Sequence, residues 1–224
     1  MPTPDALAFD VYGTLVDPIG VAVELERFAG AASRRVAELW RQHQLEYTFR
    51  LSVMERYQDF EWVTHRSLHQ ALALAGIELA AGEVDELMAS YDRLQRFDDV
   101  AEGLDLLREA GHSLAILSNG SPAMLERLVL EAGLRPPIEE VVSVDEVGVY
   151  KPSPRVYRHA AERLRRPVEE VRLISSNPFD IIGAEAVGMR TAWIDRSGAA
   201  VFDTLGEPPR VVVRSLVELA RELA

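Results

Sequence analysis

The chain has 224 residues, enough for one domain, or a domain with an inserted subdomain, around a sizeable core. Hydrophobic residues make up 48%, which excludes a disordered chain, and a net charge of −12 argues against nucleic acid and anionic membrane as partners. There is no cysteine, so disulfides, thiolate metal sites and a cysteine nucleophile are excluded.

The opening Met1-Pro2-Thr3-Pro4-Asp5 has neither the basic flank nor the apolar stretch of a secretory signal, and no segment is apolar for the length of a membrane span. A cytoplasmic protein is the expectation. Ala6 to Phe9 predicts a short buried strand, followed by Asp10 and a turn at Gly13. The chain then reads as helical for most of the next eighty residues. Val36, Trp40, His43 and Tyr47 share one helical face, and Arg41, Leu45 and Phe49 share a roughly opposite one. Helical patterning resumes from Met54 to Ala75 and from Val84 to Leu94.

From Val100 the pattern alternates between strands and helices. Strands are predicted at Ser113–Leu117, Val141–Ser143, Arg172–Ser175, Thr191–Ile194 and Arg210–Val213. Ser121-Pro122 and Ser153-Pro154 carry the cap-and-proline signal of a helix start, and Gly133 closes the first of those helices. A helix is predicted from about Asp180 to near Gly188. The alternation implies a parallel sheet covered by helices, with a helical cap (16–97) inserted into a core made of 1–15 and 98–224.

Polar residues recur just past the predicted strand ends: Asp10, Ser118-Asn119, Lys151, and Ser175-Ser176-Asn177 with Asp180. Open parallel sheets place their ligands at that rim. Each residue also has a structural reading. Asp10 suits a turn before Gly13, Ser118-Asn119-Gly120 are turn formers, and Asn177-Pro178 suits a helix cap with Asp180 in the first turn. Lys151 alone would be a solvated lysine, and Arg41 a snorkelling one at the cap edge. Asp10 after a buried strand and before Gly13-Thr14-Leu15 favours a functional carboxylate, with Thr14 able to hold one oxygen and leave the other aimed at a ligand.

Asp10-Val11-Tyr12-Gly13-Thr14-Leu15 resembles the nucleophile loop of the haloacid dehalogenase superfamily. Leu39-Trp40-Arg41-Gln42, Gln44-Leu45-Glu46-Tyr47, Leu117-Ser118-Asn119-Gly120-Ser121-Pro122, Val149-Tyr150-Lys151-Pro152 and Ser175-Ser176-Asn177-Pro178-Phe179-Asp180 resemble one branch of it, the L-2-haloacid dehalogenases. The resemblance implies an α/β fold, a Rossmann-like parallel sheet flanked by helices with an inserted helical cap. It implies a hydrolase that opens the carbon–halogen bond of a short L-2-haloalkanoic acid through an ester on Asp10, giving the D-2-hydroxy acid. Arg41 and Asn119 would receive the halide, and Ser118 the substrate carboxylate. Thr14, Tyr157 and Ser175 would orient catalytic groups, and Lys151, Asn177 and Asp180 would support Asp10 and the hydrolytic water. Tyr12, Gln42, Leu45, Phe60 and Phe179 match the pocket positions.

Superfamily phosphatases carry an acid two residues after the nucleophile, to protonate the leaving group. Tyr12 stands there, and a departing halide needs no proton. Asn177 stands where phosphatases place a magnesium-binding acid, so neither metal nor other cofactor is implied. Phe179 replaces a tryptophan of some relatives, and His43 a frequent lysine. A magnesium-dependent phosphatase would account for Asp10 and Lys151 but not for Tyr12 or Arg41. A non-catalytic metabolite-binding relative predicts an eroded rim. The implied partners are a small halogenated carboxylate, fluoroacetate included, a halide ion and a second copy of the chain.

Overall fold

The computed structural model describes residues 5–224; Met1–Pro4, read above for a secretory signal, lies outside them. In chain order the elements are β1 (Ala6–Phe9), α1 (Ala22–Ala29), α2 (Ser33–Val53), α3 (Phe60–Ala75), α4 (Ala81–Tyr91), α5 (Val100–Glu109) and β2 (Ser113–Ser118). They continue with α6 (Pro122–Glu131), β3 (Glu140–Ser143), α7 (Pro154–Arg163), β4 (Val171–Ser175), α8 (Pro178–Glu185), β5 (Arg190–Ile194), β6 (Val212–Val213) and α9 (Leu216–Leu223).

The strands form one parallel sheet in the order β3-β2-β1-β4-β5-β6. β1 is apolar and buried at every position, as a central parallel strand covered on both faces requires. Ala6 pairs with Ser113 on one side and Val171 on the other. The chain leaves β1 toward β2 and β3, then returns to place β4 on β1's other flank. The order therefore reverses beside β1, where open parallel sheets form their binding crevice at the carboxyl ends. Asp10 is the first residue past that end, and its amide donates to Ile174 O at 2.9 Å.

Helices α1 to α4 lie between β1 and α5. The linkers on either side of them are hydrogen-bonded to each other, Asp17 N to Gln95 O at 3.0 Å and Phe97 N to Leu15 O at 3.1 Å. Arg196, after β5, fastens both linkers: it donates to Thr14 O at 2.6 Å and stacks its guanidinium 3.9 Å from the Phe97 ring centre. This is a short, stiff attachment.

The helical block differs in detail from the periodicity reading. No helix continues through Met54, because α2 stops at Val53 and Asp59 caps α3 by accepting from Trp62 N at 2.8 Å. On α2, Val36 and Trp40 are buried, but the stripe continues through Gln44, Thr48 and Leu51, while His43 and Tyr47 are half-buried. Polar residues are admitted there because they are paired. Gln44 donates to Thr64 Oγ1 at 3.0 Å and accepts from Tyr91 OH at 2.8 Å, and Thr48 donates to Leu45 O at 2.7 Å. Near the sheet's edge, the strand expected over Arg210–Val213 narrows to Val212–Val213, with Val211 O also accepting from Trp193 N at 3.0 Å. Among the described residues no helix is long and apolar enough to cross a membrane.

Candidate active site

The carboxyl ends of β1, β2 and β4, with the segment after β3, bring together residues from positions 10 to 180. Lys151 is their centre. Its ammonium donates to Asp10 Oδ1 at 3.1 Å and to Asp180 Oδ2 at 2.8 Å. Exposure is 6% at Asp10, 1% at Lys151 and 0% at Asp180, so these charges interact almost out of water.

Asp10 has two unlike oxygens. Oδ2 accepts from Thr14 Oγ1 at 3.0 Å and from Asn177 Nδ2 at 2.8 Å, which fills its lone pairs. Oδ1 accepts from Lys151 and keeps a lone pair free. Thr14 is itself held, its hydroxyl accepting from Ser176 N at 2.9 Å. Asn177 also reaches Tyr12 O at 3.3 Å, and Ser175 Oγ accepts from Asn177 N at 3.1 Å. Asn177 occupies the N-cap position of α8, but its side chain makes no cap bond there.

Asp180 is the second carboxylate. Its remaining oxygen accepts from Tyr157 OH at 2.8 Å. Burial raises the Asp180 pKa above the usual carboxylate range, with Lys151 opposing and the charge on Asp10 adding to the rise. Burial alone would lower the Lys151 pKa, but the flanking carboxylates outweigh it and raise it, so the ammonium stays charged. Burial, then Asp180, push the Tyr157 phenol well above its ordinary value, which keeps it a neutral donor.

Past β2, Asn119 Oδ1 accepts from Lys151 N at 3.2 Å, which leaves the amide nitrogen of its side chain for a ligand. Ser118 Oγ accepts from Gly120 N at 3.1 Å and Ser143 Oγ donates to Gly120 O at 2.7 Å, so this turn is braced from both ends.

The helical block closes the other side. Arg41 donates to Tyr12 O at 3.2 Å, and its guanidinium carbon lies 6.0 Å from the Tyr12 ring centre. Tyr12 packs between Phe60 and Tyr91, with ring centres at 5.2 and 5.7 Å. Its hydroxyl is buried and finds no hydrogen-bond partner among the described residues. Phe179 meets Phe49 of α2 edge-on at 5.3 Å. Leu45 is half-buried, and Gln42 is exposed on α2. Tyr91 and Ser143 had not been singled out by sequence reading. An aromatic residue closing the last helix before the return linker is the one sequence signal available for Tyr91.

This donor set does not suit a divalent cation. The ammonium of Lys151 already lies between the two carboxylates, and Asn177 offers Asp10 a donor rather than another acid. Among the described residues no group of three or more His, Asp or Glu converges. Tyr12 is also unsuited to protonating a leaving group, since burial, then Tyr91, raise its phenol pKa well above the ordinary range.

Comparison with known proteins agrees with this geometry. A family model for haloacid dehalogenase-like hydrolases matches residues 4–188. The (S)-2-haloacid dehalogenase of Pseudomonas sp. (strain YL) is 40% identical over 210 residues, covering 94% of this chain and 90% of that protein. The chain belongs to the L-2-haloacid dehalogenase family. Haloacetate dehalogenase H-2 of Moraxella sp. (strain B) is 37% identical, covering 93% of each chain. The structure of L-2-haloacid dehalogenase from Xanthobacter autotrophicus with chloropropionic acid covalently bound superposes with a TM-score of 0.92 at 35% identity, over 99% of this chain and 98% of that one. The Rossmann-like α/β fold expected from the family motifs is the fold observed.

Proposed function

We propose that this family member hydrolyses short L-2-haloalkanoic acids and haloacetates without a metal, through an ester on Asp10. The observation that carries the reading is the asymmetry of Asp10: Oδ2 is saturated by Thr14 and Asn177, while Oδ1 keeps a lone pair beside Lys151, and the residue two positions on is Tyr12.

In the first step Asp10 Oδ1 attacks C2 from behind the carbon–halogen bond. The halide leaves with the bonding pair, and C2 inverts. Arg41 and the free amide nitrogen of Asn119 receive the halide, whose growing charge they stabilise in a water-poor site. Ser118 and neighbouring backbone N–H groups hold the substrate carboxylate. In the second step water attacks Cγ of Asp10 and the Cγ–Oδ1 bond breaks, so Oδ1 leaves as the hydroxyl oxygen on the inverted C2 and the water oxygen restores the carboxylate. The products are the D-2-hydroxy acid, the halide and one proton. Asp180 takes the water's proton, with Tyr157 and Lys151 fixing its orientation and Ser175 fixing Asn177. Tyr12, Gln42, Leu45, Phe60 and Phe179 line the substrate pocket, and residues 16–97 act as the cap over a core of 1–15 and 98–224. We propose a homodimer, on the family resemblance, and a cytoplasmic location, on the sequence reading.

The name of the Moraxella relative supports haloacetates as substrates. The test is halide release from L-2-chloropropionate and fluoroacetate in EDTA, with Asp10→Asn as control. Release lost in the control is expected. No halide, together with magnesium-dependent hydrolysis of an aryl phosphate, overturns the reading.

A further inference from the structure

The segment after β3 that delivers Lys151 is attached to the helical block as well as to the sheet. Tyr150, the residue before the lysine, is wholly buried. Its amide donates to Ser52 Oγ of α2 at 3.2 Å, and its hydroxyl donates to Gln58 O, in the loop between α2 and α3, at 2.7 Å. Tyr57, from the same loop, donates its hydroxyl to Asp145 Oδ1 in the short turn that follows β3. The Tyr57 and Tyr150 rings pack at 5.1 Å between centres, and Phe60 continues the stack to Tyr150 at 6.4 Å. These bonds join residues 88 to 98 positions apart, and they lie at the end of α2 and the loop after it rather than at the linkers.

We propose that Tyr57, Asp145 and Tyr150 are positioning residues for the dehalogenase reaction: they clasp the helical block to the segment after β3 that carries Lys151, so that closing the site and placing the lysine are one event. The inference rests on the reading under Proposed function and extends it to residues that touch neither substrate nor Asp10.

The physical case has two parts. First, Asp10, Lys151 and Asp180 are at most 6% exposed in this arrangement, so parting the block from the core opens the way to them for substrate and product. The linkers hold one side of the block, and the clasp joins the other, alongside the Arg41–Tyr12 and Phe49–Phe179 contacts. Second, the clasp ends one residue from Lys151, whose amide is fixed by Asn119 and whose ammonium joins both carboxylates. Opening therefore loosens the segment that holds Lys151, and re-forming the Tyr57–Asp145 bond sets it again. Phe60, at the start of α3, is carried by the same loop, so the wall of the pocket around Tyr12 moves with it.

The population of the closed form then enters the apparent affinity, because only that form completes the site. Tyr57→Phe removes one hydrogen bond to a carboxylate while keeping the ring stack. We expect KM for L-2-chloropropionate to rise about tenfold, with kcat within about twofold, since saturating substrate restores closure. Asp145→Asn keeps an acceptor and should stay near wild type, whereas Asp145→Ala should match Tyr57→Phe. Should Tyr57→Phe not fold, Asp145→Ala carries the same test.

Amide hydrogen exchange of peptides covering 144–152 and 54–60 gives a readout independent of turnover. Both should exchange about tenfold faster in Tyr57→Phe. Faster exchange confined to 54–60, or a KM unchanged despite faster exchange at 144–152, overturns the clasp. If wild-type enzyme releases no halide, the dehalogenase reading fails, and exchange at 144–152 still decides whether the two segments are coupled.

Discussion

Asn177 donates its side-chain amide to Asp10 Oδ2 at 2.8 Å and leaves the N-terminus of α8 without a side-chain cap. An asparagine before a proline is well suited to capping a helix, and here that role is given up. The helix tolerates it because the Asp180 amide, which such a cap would take, donates instead to Asn177 O at 3.0 Å, and Pro178 has no N–H to satisfy. The exchange costs α8 a local bond and fixes which oxygen of Asp10 can attack.

Asn177→Asp should therefore be far more damaging than its size suggests. A second carboxylate at 2.8 Å removes a donor and sets a like charge against Asp10, so Oδ2 loses a partner and the orientation that frees Oδ1 is no longer held. We expect kcat at neutral pH to fall about a hundredfold or more. Halide release from L-2-chloropropionate at saturating substrate checks it; a kcat within about twofold of wild type would remove Asn177 from this role.

Lys151→Met should destabilise the fold as well as stop turnover. It leaves Asp10 and Asp180 buried without their shared cation, a change that costs about 3–5 kcal/mol when one partner of a buried pair is removed. The sign with pH follows from the direction of the shift. Asp180 is already raised by burial, and without Lys151 it rises further, so the folded state binds a proton that the unfolded chain releases. The deficit should be largest at neutral pH and shrink as pH falls toward the unfolded carboxyl value of about 3.9. Urea unfolding at pH 7.5 and pH 5 measures it; equal losses at both would show that the carboxylates do not carry the penalty.

The rim of the site was legible in the sequence because strand-end positions are recorded locally. A buried apolar run followed by Asp10, or by Ser118-Asn119, places the residue without knowledge of its partners. The contacts of the helical block were not legible in this way. Gln44 and Tyr91 are 47 positions apart and Tyr57 and Asp145 are 88 apart, and no periodicity encodes such pairings. Periodicity also counted His43 and Tyr47 with Val36 and Trp40, while the buried stripe took Gln44 and Thr48, whose polar groups find partners only in the folded block. The choice between cap and site at Asn177 was likewise undecidable without the position of Asp10.

Tyr157→Phe isolates the second carboxylate. Its hydroxyl donates to Asp180 Oδ1 at 2.8 Å and favours the ionised form, opposing burial. Without it the Asp180 pKa rises further, so Asp180 is a proton acceptor over a narrower range and hydrolysis of the ester should lose rate first at low pH. Alkylation of Asp10 should change less. Rapid-quench measurement of the burst against steady-state turnover separates the steps: the expected result is a preserved burst with slowed turnover at pH 6, recovering toward pH 9. A burst and turnover reduced in equal proportion at every pH would place Tyr157 outside the hydrolytic step.

Arg41→Lys keeps a cation on α2 but loses the planar fork that donates to Tyr12 O at 3.2 Å and faces the Tyr12 ring. If Arg41 receives the halide, the loss must grow with the charge that the leaving group needs stabilised at the transition state. We expect kcat/KM to fall about tenfold for 2-bromopropionate and about a hundredfold for 2-chloropropionate, each tenfold step corresponding to about 1.4 kcal/mol. The ratio between halides is the informative quantity, since a general loss of cap packing would slow both substrates alike. Equal losses for bromide and chloride would reassign Arg41 to holding the nucleophile loop through Tyr12.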